Sequence, residues 1–134
     1  MDIEVNYLSV LVAALSSMVL GSLWYGPLFG KKWMALMGFT KEKMEQDKPN
    51  MGKLYATQAV ASLVMAYVLF HFTFPAQNLS EALEWTAWIW LGFVATITLG
   101  NVLWGGRPKE LWILENAYHL LSLLVMTAIM YNWS

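Results

Sequence analysis

Residues 5–30, VNYLSVLVAALSSMVLGSLWYGPLFG, form a long stretch without a charged side chain. A helix needs about 20 mainly apolar residues to cross a hydrocarbon core roughly 30 Å thick, so this stretch can span a membrane. Residues 54–80 and 85–106 are also uncharged, and residues 111–134 contain one charged side chain, Glu115. Because backbone groups in lipid must be hydrogen-bonded within their own segment, all four stretches predict helices.

These stretches predict an all-α polytopic membrane protein with four transmembrane helices, near residues 5–27, 54–74, 82–104 and 111–132. We predict a single transmembrane domain over residues 1–134. The composition agrees, because 58% of the residues are hydrophobic and 13% are charged, whereas an average soluble domain is about 45–50% apolar and 25% charged. We expect the lipid bilayer to be the protein's immediate surroundings.

Composition also excludes several classes of function. The net charge is −1, which argues against a nucleic-acid-binding protein because such proteins carry a basic surplus. There is no cysteine, so disulfides and thiolate metal sites are excluded. With two histidines and no cysteine we predict no metal site, and no motif indicates a cofactor or a catalytic residue.

The basic residues determine the predicted orientation. All eight Lys and Arg residues lie in two loops, residues 28–53 and 105–110, and the connection at residues 75–81 has none. Loops rich in Lys and Arg remain in the cytoplasm. We therefore predict that these two loops are cytoplasmic and that both termini lie outside.

Local patterns predict how several segments begin and end. Pro27 follows Gly26 and is expected to end or kink the first span, because proline cannot donate a backbone hydrogen bond. Residues 28–37 mix aromatic and lysine side chains, which is typical of a short helix in the headgroup plane. Asn78 with Glu81 three residues later predicts a capping box at the start of the third span.

The sequence contains a weak internal repeat. Residues 20–26 align with residues 99–105 at an offset of 79 residues, and Gln58 aligns with His119 at an offset of 61. We therefore predict two parallel helix-hairpin repeats, residues 5–74 and 82–132, related by a pseudo-two-fold axis along the membrane normal.

Each repeat carries a ridge of small residues spaced by four, which lets two helix backbones approach closely. The two ridges are Ala13, Ser17 and Gly21, and Gly92, Thr96 and Gly100. Two packing arrangements are compatible with them. Either spans one and three pack against each other through Gly21 and Gly100, or one or both ridges face another subunit.

Polar residues inside the spans cluster in the half next to the basic loops, and such residues usually mark function. They are Ser22, Gln58, Asn101, Glu115, Asn116 and His119. Glu115 and His119 are four residues apart and share a helix face. These side chains either line a shared pocket for a ligand or proton, or serve structure alone, with Glu115 near the membrane boundary or paired with Lys109 or Arg107.

The run WYGPLFG at residues 24–30 is the most specific part of a resemblance to a known family. Further matching segments are residues 6–14, 20–34, 91–96 and 118–126. Together they resemble a bacterial family of small four-helix membrane proteins of unknown function. The resemblance implies an inner-membrane location and a prokaryotic source, and it supplies no activity, cofactor or site residue.

Two functions are compatible with this sequence. The first is an oligomeric accessory or scaffolding protein that acts through helix packing, as a homo-oligomer or within a larger membrane complex. The alternative is a channel, transporter or small-molecule-binding protein that uses the polar cluster in the cytoplasmic half. An enzyme is not expected, because no catalytic constellation is present.

Overall fold

A computed structural model describes residues 5–38, 42 and 51–133, and within these ranges it contains helices and no strand. The helices are α1 Tyr7–Leu23, α2 Gly30–Met37, α3 Met51–Thr73, α4 Leu79–Ile89, α5 Thr96–Trp104 and α6 Lys109–Trp133. Two wider π-helical stretches continue them: Trp24–Leu28 extends α1, and Trp90–Ala95 joins α4 to α5.

Four helical segments are long and apolar enough to cross a membrane, which confirms the predicted number. We call them spans one to four: Tyr7–Leu28, Gly52–Thr73, Leu79–Trp104 and Lys109–Trp133. The end of the bundle where span one ends and span two begins is the basic end, and the opposite end is the far end. Most of the predicted loop between α2 and span two lies outside the described residues.

The first and third spans begin with asparagine caps. The Asn6 side chain accepts a hydrogen bond from the Ser9 amide at 3.2 Å, and Asn78 accepts one from the Glu81 amide at 2.8 Å. These bonds satisfy amides that have no partner within the helix. Glu81 does not close the predicted capping box, because its carboxylate accepts from the Gln77 amide, 3.4 Å away.

Span one widens around Pro27 before it ends. Pro27 has no backbone donor, and the Phe29 amide reaches back five residues to the Trp24 carbonyl at 2.9 Å. The wider turn keeps the chain helical through a position that would interrupt a regular α-helix. The chain then turns directly into α2, at the place where the sequence predicts a short helix in the headgroup plane.

Span four is the central helix of the bundle. It packs against each of the other three spans, whereas span one packs against spans two and four. Small or flexible side chains fill the core, and Ala13, Ala66 and Met126 are fully buried. Lipid tails are as apolar as these residues, so close packing rather than escape from water holds such helices together.

Hydrogen bonds between helices reinforce this packing. The hydroxyls of Thr86 and Thr127 lie 2.7 Å apart in the buried contact between spans three and four. The Tyr118 hydroxyl donates to the Ser17 carbonyl at 2.8 Å, which connects span four to span one. Measured interhelical hydrogen bonds of this kind contribute about 0.6 kcal/mol on average.

The two glycines at equivalent positions of the repeat have different surroundings, and the first of the two arrangements, in which they bring spans one and three together, is not seen in the described residues. Gly21 faces span four, where an added Cβ would lie 2.9 Å from the Tyr118 hydroxyl oxygen. An added Cβ at Gly100 would meet no described atom within 4 Å. A small-residue ridge permits a close approach without specifying the partner.

Spans two and three diverge from the far end towards the basic end. Span two packs against α4, the first half of span three, and the packing does not extend along α5. Span one, by contrast, packs extensively against span four. The divergence leaves space between spans two and three. The symmetric arrangement of the two repeats stays a prediction.

Candidate functional site

All four spans line a cavity of about 1120 Å³, and spans one and two contribute most of its lining residues. Drug-sized ligands occupy pockets of about 300–1,000 Å³, so this cavity has room for a larger molecule. Several residues of its rim are more than half exposed, namely Val19, Tyr55, Phe72 and Phe93. The cavity therefore opens sideways, on a surface that lipid would cover in a membrane.

The polarity of the lining changes along the bundle axis. Polar side chains line the part from the basic end to the middle: Ser22, Tyr25, Tyr55, Gln58, Tyr118 and His119. Apolar side chains line the part towards the far end, among them Val68, Leu69 and Phe72. Along span two, the distance from Tyr55 to Phe72 is about 25 Å at 1.5 Å per helical residue. The cavity thus has one polar end and one apolar end.

Two of the residues predicted from the repeat, Gln58 and His119, line the polar part of the cavity. The Gln58 amide donates to the Ser62 hydroxyl at 3.3 Å, along its own helix. His119 is half-buried and its ring lies 5.5 Å from that of Tyr118. No group in the described part of the chain hydrogen-bonds the His119 ring nitrogens.

Two tyrosines that were not among the predicted polar residues also contribute to the polar part of the cavity. Tyr25 and Tyr118 meet edge to face with ring centroids 5.3 Å apart. Tyr118 bonds span one through Ser17, whereas the Tyr25 hydroxyl has no hydrogen-bond partner among the described residues. A tyrosine next to His119 within an apolar span was the signal available in the sequence.

Glu115 lies beside the cavity without lining it. Its carboxylate accepts a hydrogen bond from the Trp33 indole of α2 at 3.4 Å, and it is close enough to interact electrostatically with Tyr25 and His119. Arg107, one of the two basic partners considered for it, instead donates to the Met37 carbonyl at the end of α2. Glu115 therefore connects α2 to the polar part of the cavity.

The remaining predicted residues, Asn116, Asn101 and Ser22, either do not line the cavity or line it without joining Gln58 and His119. Asn116 is buried and donates to the Thr98 hydroxyl at 2.8 Å and to the Trp112 carbonyl at 3.0 Å, so it fastens span four to span three. Asn101 is exposed and does not line the cavity. Ser22 lines the cavity, with its hydroxyl bonded to the Met18 carbonyl. Consecutive residues of a helix point about 100° apart, which is why Asn116 faces away from Glu115.

Comparison with known proteins identifies the family of this chain and supplies no activity. No curated protein and no solved structure shows a significant match to this chain. The family model described as "Protein of unknown function (DUF1761)" matches residues 8–131, which include spans two and three entirely and nearly all of spans one and four. This match confirms the resemblance to a family of unknown function that the sequence indicated. The chain therefore belongs to the DUF1761 family.

Proposed function

We propose that this protein binds an amphipathic small molecule from the membrane in the cavity that the four spans line. The observation that carries the proposal is the combination of a lateral opening, a polar end and an apolar end in one cavity. A molecule dissolved in the bilayer can enter through such an opening without crossing water. An empty gap of this size would forfeit the dispersion contacts of its lining atoms, so an occupant stabilises the bundle.

Binding accounts for this cavity better than conduction does. Leu69 and Leu123 line the cavity and are buried in the core cluster, together with Met126 and Met130. These side chains close the space towards the far end, whereas a channel needs a continuous polar path. The bias of basic residues favours a cytoplasmic location for the basic end, which directs the polar part of the cavity towards the cytoplasm. A topology reporter fused after residue 134 checks this orientation.

A bulky substitution inside the cavity tests the proposal. Val68 lines the cavity and is half exposed, whereas Val60 lies on the same span, is 61% exposed and does not line it. We expect Val68→Trp to weaken binding of amphipathic molecules at least tenfold, roughly 1.4 kcal/mol, because the indole occupies the space for the ligand. Val60→Trp is the matched control and should bind like the wild type.

Isothermal titration of the purified protein in detergent, with decylubiquinone, dodecanol and laurate as probes, measures this difference. Circular dichroism establishes that both variants are folded. The proposal fails when none of the three probes binds the wild type, or when Val68→Trp binds them as tightly as Val60→Trp does.

A second candidate function is assembly through span three. Gly92 and Thr96 of the predicted ridge are exposed, and no described atom lies within 4 Å of an added Cβ at Gly92 or Gly100. A free ridge of this kind supports close packing with a second copy of the chain or with a larger membrane complex. This observation favours the oligomeric accessory protein that the sequence suggested.

Gly92→Leu tests this second candidate. The leucine side chain would hold two facing helices apart, so we expect the variant to lose most of its dimer. Ile97→Leu is the control, since Ile97 is exposed on the same span and the substitution leaves the side-chain volume unchanged. Native mass spectrometry of the three proteins measures the oligomeric state. A monomeric wild type, or a dimer that Gly92→Leu leaves intact, contradicts this function.

A further inference from the structure

We infer that the occupant of the cavity is an uncharged ring bearing carbonyl groups on a single apolar chain, which is the chemistry of a membrane quinone. The ring would lie between Gln58, His119 and Tyr25, and the chain would extend along Val68 and Phe72 towards the far end. The inference rests on the proposed function, that the cavity binds an amphipathic molecule, and it specifies which class.

The lining of the cavity disfavours the commonest membrane amphipaths, which carry a charged headgroup. No Lys, Arg, Asp or Glu side chain lines the cavity within the described part of the chain. A charged headgroup would therefore lose its hydration without gaining a counter-ion, which is costly at membrane depth. Glu115 interacts electrostatically with His119, and its carboxylate would repel an anion. Fatty-acid carboxylates and phospholipid headgroups are thus disfavoured relative to an uncharged head.

The polar part of the cavity offers hydrogen-bond donors that need an acceptor. The Gln58 amide uses one N–H on Ser62, and its nitrogen carries a second. The Tyr25 hydroxyl and the His119 ring have no hydrogen-bond partner among the described residues. Leaving such donors unpaired in an apolar environment costs free energy. Carbonyl oxygens on a ligand would accept from them.

The shape of the lining favours a flat ring followed by a chain. Tyr25, Tyr55 and Tyr118 bring three aromatic rings to the polar part, and aromatic rings pack favourably, edge to face or offset, against another flat ring. Beyond them the lining is aliphatic or phenyl, as at Val68 and Phe72. The roughly 25 Å between the two ends suits an extended chain attached to the ring. A carbonyl-bearing ring matches both the donors and the aromatic faces, whereas an alcohol matches only the donors.

Titration of the purified protein with three probes of similar chain length tests the headgroup. Decylubiquinone has an uncharged carbonyl-bearing ring, dodecanol has an uncharged hydroxyl, and laurate has a carboxylate. We expect decylubiquinone to bind about tenfold more tightly than dodecanol, and laurate to bind most weakly. Equal or tighter binding of dodecanol or laurate overturns this inference and leaves the proposed function standing. Absence of binding for all three removes the proposed function itself.

Two substitutions test the placement of the ring. His119→Leu and Gln58→Leu each remove a donor, and we expect each to weaken decylubiquinone binding about 2- to 10-fold, the effect of one hydrogen bond. Dodecanol binding should change less, because its hydroxyl has fewer acceptor sites for these donors. His71→Leu is the control, since His71 bonds the Tyr67 carbonyl and does not line the cavity. Unchanged quinone affinity in both site variants overturns the assignment.

Discussion

Gly21→Leu is expected to destabilise the folded bundle by about 2–3 kcal/mol, which combines overpacking with the loss of an interhelical hydrogen bond. The Cβ alone would lie 2.9 Å from the Tyr118 hydroxyl oxygen and 3.4 Å from the ring carbon that carries it. Tyr118 would have to move, and its hydrogen bond to the Ser17 carbonyl would break. The effect should be large because span four is the central helix and span one packs along it.

Gly100→Leu is the matched control, because Gly100 is the repeat equivalent of Gly21 and no described atom lies within 4 Å of its added Cβ. Leucine also has a helix propensity better than that of glycine by up to about 1 kcal/mol. We therefore expect the monomer to keep or slightly gain stability. Denaturant titration in detergent, followed by circular dichroism, measures both variants. Equal losses at the two positions would contradict the asymmetric packing of spans one and three.

Gly30→Ala is expected to cost about 1–3 kcal/mol, because it forces a methyl group against the backbone. The added Cβ would lie 2.7 Å from the Tyr25 carbonyl oxygen and 3.3 Å from its carbon. Neither atom can rotate away as a side chain would, since both belong to the π-helical stretch Trp24–Leu28. The tight turn into α2 should open, which would also weaken the hydrogen bond from Trp33 to Glu115.

Trypsin measures this opening, because Lys31 and Lys32 lie directly after the glycine on the exposed side of α2. Gly30→Ala should be cleaved there several times faster than the wild type. Gly26→Ala is the control within the same turn, as no described atom lies within 4 Å of its added Cβ. Cleavage rates that do not distinguish Gly30→Ala from Gly26→Ala would show that the close approach at Gly30 is not needed.

Much of the fold was predictable because a bilayer imposes simple rules on a chain. The charge-free stretch at residues 5–30 predicts span one, and the structure ends this span at Leu28. Asn78 marks the start of span three as expected, since its side chain caps the helix. Hydropathy and helix capping depend on residues that are close together in the sequence, so both features could be predicted. The widened turn at Pro27 was predicted only as an end or kink, because proline removes a donor without specifying how the chain compensates.

The candidate site was predictable in part. Polarity within a span indicated Gln58 and His119, and both line the cavity. The same criterion also indicated Asn101, which is exposed. It missed Tyr25, because an aromatic side chain near the end of a span is also typical of the membrane interface. A polar side chain in a span usually has a polar partner. Hydropathy does not say whether that partner belongs to a neighbouring helix, a ligand or the headgroup layer.

The sequence by itself determined that four helices are long and apolar enough to span a membrane, because length and charge decide which segments a bilayer accepts. Only the tertiary structure decided which helices meet. Gly21 and Gly100 carry the same local signal, yet one packs against Tyr118 and the other faces open space. The physical reason is that helices with apolar faces all round differ little in their attraction to lipid or to one another. Partner choice therefore depends on how particular side chains fit together, and that fit also determines where the four spans leave the cavity.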